Sequence, residues 1–286
     1  LNSENVGEGR LPHWLRLHVA SVLPIAAIFA LALLLIQGAA FSKFTRYFLP
    51  LTPFCALLAT LFWRQISISR PIFRVGAAVV ALSATFWALS VASIYGRPHS
   101  RLEASRWIVQ NIAPGTVVAN ETAWDEGLPI SWAPTGSGGL VSLNLDSYAN
   151  DSPQKRAELE KTLSRAQWIF LSSGRSWQNI PRWPQKWPLT TQFYRALFDG
   201  RLGFRLEKRF DSFPQFGPLR FPDANAEEAL TVYDHPLVLL FRKDETYSDA
   251  KVRAVFENIQ FPENQNWHPN LAPTPDENSL PIPPGF

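Results

Sequence analysis

Val19-Ala-Ser-Val-Leu-Pro-Ile-Ala-Ala-Ile-Phe-Ala-Leu-Ala-Leu-Leu-Leu-Ile-Gln-Gly-Ala-Ala-Phe-Ser42 runs for 24 residues without a charge. Two more uncharged runs follow, Tyr47–Trp63 with 17 residues and Val75–Gly96 with 22. A hydrocarbon core of ~30 Å needs roughly 20 helical residues, so the first and third runs span it and the second is near the lower limit. The first run is too long for the core of a signal peptide, and its two successors argue against a secretory signal. Each run is bounded by Arg or Lys, and Trp14, Tyr47, Trp63 and Tyr95 stand at or near the ends, where interfacial aromatics belong. The pattern predicts three transmembrane helices at about 19–40, 46–63 and 75–95. Buried helices of a water-soluble protein are the alternative.

With 286 residues, 46% hydrophobic and 18% charged, the chain is neither disordered nor collagen-like. Charge is uneven: residues 1–96 carry seven Lys/Arg against two acids, a balance of +5, and residues 97–286 carry 20 against 22, a balance of −2. The basic residues of the first third punctuate apolar runs and form no continuous surface for a phosphate backbone, which argues against nucleic acid as a partner. One cysteine, Cys55, excludes an internal disulfide and a Cys-based metal site, and its apolar neighbours predict a small buried hydrophobe. Five scattered histidines (13, 18, 99, 235, 268) have no metal-ligand spacing, so neither a metal nor a cofactor is expected. A chain that starts at Leu1 and contains no methionine reads as one whose N-terminal part is missing, with a processed chain as the alternative.

Orientation is balanced by charge. With alternating spans, Arg10, Arg16, Arg64, Arg70 and Arg74 share one side, and Lys43, Arg46, Arg97, Arg101 and Arg106 the other. The positive-inside rule discounts residues that lead into long domains, which puts the second loop in the cytoplasm and the C-terminal domain outside.

Past Arg97 the pattern becomes that of a soluble α/β domain with a small parallel or mixed sheet. Helical spacing predicts a helix over Leu102–Ile112, stopped by Pro114-Gly115. Thr116–Ala119 reads as a buried strand. Ser152–Ala166 reads as a helix with Ser152 as N-cap and Pro153 in its first turn. Trp168–Ser172 is a second buried strand, Thr190–Phe198 a helix, and Phe204–Phe210 a strand. Leu230–Tyr233 and Leu237–Phe241 read as strands joined by Asp234-His235-Pro236, a candidate hairpin. Tyr247–Ile259 is a final helix, and the Pro- and Asn-rich tail is expected to be disordered. The domain boundaries are thus 1–96, 97–260 and 261–286.

Neither a phosphate-binding glycine loop nor a dinucleotide fingerprint appears, and Ser172-Ser-Gly-Arg-Ser176 lacks the spacing of a nucleophile elbow. Three weaker constellations remain. Lys43, Arg46 and Tyr47, between the first two runs, place two cations and a phenol where they suit the phosphate of a lipid-linked substrate. Arg97, His99 and Arg101 follow the third run on the same expected face. Ordinary interfacial anchoring by snorkelling is the alternative for both. Glu121, Trp124, Asp125 and Glu126 follow a strand, where ligands of α/β domains bind, and a Trp among carboxylates suits a sugar or acceptor contact; a solvated loop needs no ligand. Trp177, Trp183 and Trp187, interleaved with prolines, read as a stacking platform, a membrane-facing edge or irregular core packing.

Several blocks in one order resemble a known family. Lys43-Phe-x-Arg46-Tyr47-x-Leu-Pro50-x-x-Pro53, Ile94-Tyr95-x-Arg97-Pro98-His99-x-Arg101, Ala104-Ser105-x-Trp107-Ile108 and Asn111-Ile112-x-Pro114-Gly115 are similar to the C-terminal part of large bacterial polytopic glycosyltransferases, those of glycosyltransferase family 39, the protein-mannosyltransferase-like group. Glu121-x-x-Trp124-Asp125-Glu126-x-Leu128-Pro129 and Val232-Tyr233-Asp234-His235-Pro236-x-Val238 extend the resemblance, which covers roughly residues 40–245. The family pattern near Trp124 has two aspartates, so Glu126 departs from it while keeping a carboxylate. The resemblance implies a multi-pass enzyme of the cytoplasmic membrane, a hexosyltransferase that takes a sugar from a polyprenyl-phosphate donor on the outer face. It implies that the present chain needs the N-terminal transmembrane part of the same protein, where the family's catalytic carboxylate lies, so no residue here is assigned as catalytic. It also implies an extracytoplasmic soluble domain. A membrane-anchored, non-catalytic glycan- or protein-binding module is the rival expectation.

Overall fold

The computed structural model describes residues 13–40, 45–67, 71–121, 127–130 and 139–262. The chain divides into two compact units between Leu82 and Ser83. The first is helical: α1 (His13–Ala39), a 3-10 segment (Thr45–Leu51), α2 (Thr52–Ser67) and α3 (Pro71–Ala92), which continues into the second unit. Helices α1 and α2 meet through Phe29 and Phe54, whose ring centroids are 5.6 Å apart. Among the described residues one helical stretch, beginning at Pro71, is long and apolar enough to cross a membrane; Pro24–Ala39 is apolar but shorter.

Two expectations for this unit change. Tyr47–Leu51, expected to open the second span, is 3-10, and α2 starts only at Thr52. Pro50 and Pro53 carry no N–H donor, which starves a regular α-helical ladder at this point, and the Thr52 hydroxyl instead donates to the Leu49 carbonyl at 2.7 Å. Cys55 is exposed on α2, not buried: an apolar neighbourhood in sequence does not put a side chain inside when the helix has few neighbours to pack on.

The second unit is an α/β domain built on a five-stranded mixed sheet. Its elements are α4 (Ser100–Asn111), β1 (Val117–Asn120), β2 (Val141–Asn144), α5 (Pro153–Arg165), β3 (Trp168–Leu171), α6 (Arg175–Asn179), α7 (Pro188–Phe198), β4 (Phe204–Phe210), β5 (Gln215–Phe216), β6 (Leu219–Arg220), α8 (Glu228–Thr231), β7 (Val238–Lys243) and α9 (Asp249–Phe256). Strand order is β2-β1-β3-β7-β4, with β2, β1 and β3 parallel and β7 antiparallel to both neighbours. Strands β5 and β6 form a separate hairpin.

Both faces of the sheet are covered, and the strand sequences state why. Every residue of β3 is buried. Trp168 and Phe170 pack with Ala104 and Ile108 of α4, while Ile169 and Leu171 pack with Leu163 of α5 and Phe193 of α7. An uninterrupted apolar strand is what a doubly covered sheet demands. Helix α5 has the predicted cap, the Ser152 hydroxyl accepting from Lys155 N–H at 3.1 Å, with Pro153 in the first turn. Trp177 is fully buried against Phe198, ring centroids 5.2 Å apart, which resolves that tryptophan as core.

Three local readings are corrected. Leu230–Tyr233 is not a strand: α8 and a turn occupy it, and β7 pairs with β3 and β4 instead of forming a hairpin with it. The β-favouring Thr-Val-Tyr is overridden by tertiary bonds, since the Val232 and Tyr233 carbonyls face Arg101 and His99. Helix α4 begins at Ser100, two residues early, because His99 caps it. The edge strand β2 and the β5–β6 hairpin have no counterpart among the predicted elements. The Pro- and Asn-rich tail lies outside the described residues.

Candidate functional site

In a parallel arrangement ordered β2-β1-β3, loops leave β2 and β3 on opposite sides of β1, and ligands favour the carboxyl ends of such strands. Two polar clusters occupy those ends here. The first is organised by Glu121, which directly follows β1 and is only 4% exposed. Its Oε1 accepts from the Ser147 hydroxyl at 2.9 Å and from the Tyr194 hydroxyl, and the Tyr194 and Ser147 oxygens are 2.7 Å apart. Burial, reinforced by the neighbouring Glu121 carboxylate, pushes the Tyr194 hydroxyl well above its ordinary pKa, so it remains a hydrogen-bond donor.

Beside it, Asp151 is almost wholly buried. Its Oδ2 accepts from the backbone N–H groups of Leu189 and Thr190, at 2.7 and 3.1 Å, in the first turn of α7. Its Oδ1 accepts from the Lys155 ammonium at 2.9 Å and the Thr190 hydroxyl at 2.8 Å. Lys155 Nζ also reaches the carbonyls of Ser147 and Ala149. Burial lowers the Lys155 pKa, and Asp151 opposes that shift.

Of these groups, Ser147, Lys155 and Thr190 line a cavity of about 250 Å³ beyond the carboxyl end of β2. Its polar lining includes Asn144, Asp146, Ser147, Lys155, Glu158 and Thr190, and Leu159 and Phe193 are part of its apolar wall. Carboxylates, an amide and hydroxyls around a partly apolar wall suit a small polyhydroxylated ligand, because each ring hydroxyl both donates and accepts. Ser147 links the two features: it lines the cavity and bonds Glu121 behind it.

The second cluster lies beyond the carboxyl end of β3. Arg175 Nε meets Glu228 Oε1 at 2.5 Å, its Nη2 donates to the Tyr233 hydroxyl at 3.2 Å, and its guanidinium lies 5.5 Å from the Tyr233 ring centroid. Asn179 Nδ2 donates to the other Glu228 oxygen at 2.7 Å. Into this cluster run the basic residues after α3. Arg101 is buried, with Nε donating to Ser172 O at 3.2 Å and Nη2 to Val232 O at 2.9 Å. His99 Nδ1 accepts from Arg101 N–H at 3.2 Å while Nε2 meets Tyr233 O at 2.8 Å. A carbonyl only accepts, so Nε2 is the ring nitrogen that donates here. Arg97 Nη1 donates to Gln215 Oε1 at 3.1 Å, and its Nη2 reaches the carbonyls of Ser212 and Phe213.

The expected site residues are therefore distributed as follows. Arg97, His99 and Arg101 are brought together with the 212–215 and 232–236 segments, where they hold backbone carbonyls and so tie the end of α3 to the domain. Glu121 is placed at a strand end as expected, but it is engaged in a buried network. Arg46 and Tyr47 lie in the helical unit, with the Arg46 guanidinium 5.3 Å from the Tyr47 ring centroid. Lys43, Trp124, Asp125 and Glu126 lie outside the described residues. Sequence reasoning missed Ser147, Asp151 and Lys155, although Asp151-Ser-Pro-x-Lys155 put an acid and a base four residues apart across a helix start. Among the described residues no group of three or more His, Cys, Asp or Glu side chains is placed to hold a metal ion. Comparison of the chain with protein-family models, with curated proteins and with solved structures finds no match in any of the three.

Proposed function

We propose that this chain is the C-terminal part of an integral-membrane glycosyltransferase that transfers a sugar from a polyprenyl-phosphate donor on the outer face of the cytoplasmic membrane. On this reading three helices cross the bilayer, the α/β domain stands outside it, and the catalytic carboxylate belongs to the N-terminal part of the enzyme. The carrying observation is the direct passage of an apolar helix of spanning length, α3, into a water-type α/β domain, at the very place where the family-like blocks begin again with Ile94-Tyr95-x-Arg97.

Leaving-group charge develops on the lipid phosphate as the glycosidic bond breaks, and preorganised cations stabilise it. Lys43 and Arg46 take that role. Arg97, His99 and Arg101 act one step removed, by anchoring the domain to the end of α3. The cavity bordered by Asn144, Asp146, Ser147 and Lys155 receives hydroxyl groups of the acceptor or the sugar.

The test replaces Lys43 and Arg46 with Ala in the membrane-embedded enzyme and follows transfer from a polyprenyl-phosphate sugar. Removal of electrostatic stabilisation at this point predicts a loss of about 10²-fold in kcat. Unchanged transfer removes both residues from the site. Binding of glycans by membranes carrying the chain, with no transfer at all, supports the rival reading as a binding module.

A further inference from the structure

We propose that the β5–β6 hairpin, Pro214–Pro222, is a membrane-inserted wedge that seats the α/β domain on the lipid bilayer, with Phe216 and Leu219 buried among lipid chains. The proposal rests on the reading of α3 as a membrane span.

The hairpin is short and stiffly built. Gln215 pairs with Arg220 and Phe216 with Leu219, leaving Gly217-Pro218 as a two-residue turn. Gly217 has φ 56° and the next residue is proline, whose φ is fixed and negative; glycine in the first central position is the signature of a II′ hairpin turn. A two-stranded ribbon of this size has no independent stability in water, and this one places its large side chains outward. Phe216 is 44% and Leu219 55% exposed, beside a turn that carries no charge.

Its position says what covers it. Phe86 of α3 packs on Phe216, ring centroids 4.8 Å apart, and on Phe221 at 5.8 Å, while Trp87 meets Phe221 edge-on at 5.7 Å. Phe86 is six residues before the end of α3 at Ala92, so the hairpin reaches about 9 Å back along the helix from its last turn at 1.5 Å per residue. The interfacial layer on each side of a bilayer is roughly 5–8 Å thick. A tip carried that far back along a spanning helix passes the headgroups and enters the chain region. The exposed apolar surface of the hairpin is thus continuous with that of α3, where Trp87 and Leu89 are also exposed.

The polar groups agree with this depth. Those of the hairpin's base are held near the helix end: Gln215 N–H donates to the Ser93 hydroxyl at 3.0 Å, and Arg97 clasps Gln215 and the carbonyls of Ser212 and Phe213. Arg220 pairs with Asp211, at the level suited to lipid phosphates. Charges lie at the base and apolar groups at the tip, the pattern of an interfacial insertion.

The experiment uses the full chain with Cys55→Ser, reconstituted in lipid vesicles, carrying one nitroxide label in turn at Phe216→Cys, Leu219→Cys, Val80→Cys and Val141→Cys. Collision with oxygen, which concentrates in lipid, is compared with collision with a water-soluble nickel chelate. The labels at 216 and 219 are expected to match the one at 80, in α3, and to differ from the one at 141, on the exposed edge strand, by several-fold in the oxygen-to-nickel ratio. Labels at 216 and 219 that match 141 while 80 reports lipid overturn the wedge and leave the spanning helix standing. A label at 80 that matches 141 overturns both. Labels at 216 and 219 shielded from both reagents indicate a protein partner and also overturn the wedge.

Discussion

The helical unit and the α/β domain use the same apolar residues and treat them in opposite ways. In the first, Ile25, Ile28, Ile72 and Leu82 are about 70% exposed. In the second, Phe170, Leu171, Trp177 and Tyr194 are sealed inside. A protein bathed in water throughout rarely leaves contiguous apolar faces of that extent uncovered. The contrast teaches that the domain draws its stability from burial against itself, whereas the helical unit leaves its apolar side chains uncovered; on the proposed reading, lipid covers them.

That contrast can be broken from either side. The largest expected effect is in the domain core. Trp177→Ala leaves a cavity among Ile180, Leu197 and Phe198 and should cost about 3–5 kcal/mol, read as a fall in the unfolding midpoint of the detergent-solubilised chain. A midpoint unchanged by this substitution means the domain has no single tightly packed core.

If α3 spans the membrane as proposed, Leu82→Arg at its middle should cost about 3–4 kcal/mol of insertion. Alkaline extraction of membranes carrying the chain should show the loss as increased release of the variant, and tryptophan fluorescence of the domain should stay native. Retention equal to the parent chain would argue that α3 does not face lipid at that depth.

Tyr194→Phe sharpens the account of the buried Glu121 network. Loss of one donor to a buried carboxylate should destabilise the domain by about 1–3 kcal/mol at neutral pH. The pH dependence is more specific. The folded state holds the Tyr194 proton to a pH above its ordinary value of 10, so this group's stabilisation is complete below about pH 10 and is lost as pH rises through the higher folded value. The parent chain should therefore lose up to about 1.4 kcal/mol per pH unit above 10 from this group. Denaturant titrations between pH 8 and 11 should show that share of the slope missing in the phenylalanine variant.

Much of the fold is legible where one local signal suffices. Trp168-Ile-Phe-Leu171 is a strand by composition alone, and Ser152-Pro153 announces α5 by capping chemistry. Other elements exist only by pairing. Val141-Ser-Leu-Asn144 alternates apolar and polar over only four residues, most of them exposed, and it becomes β2 because β1 supplies its hydrogen-bond partners. Thr231-Val-Tyr233 fails in the other direction: side chains favourable to a strand are bent into a turn by Arg101 and His99, more than 130 residues away. The site follows the same division. Glu121 is recognisable as an acid after a strand, whereas its partners Ser147, in the loop after β2, and Tyr194, on α7, are brought to it only by the tertiary fold.

Short-range chemistry in this chain, the lengths of uncharged runs, helix caps and proline breaks, is enough to separate an apolar helical segment from an α/β domain, because hydropathy and backbone donors act within a few residues. Which cations meet carbonyls, which acid lies beside which hydroxyl, and where an apolar hairpin comes to rest depend on contacts between distant segments. Those contacts belong to the assembled fold, since no residue's immediate neighbours encode the partner it meets across it.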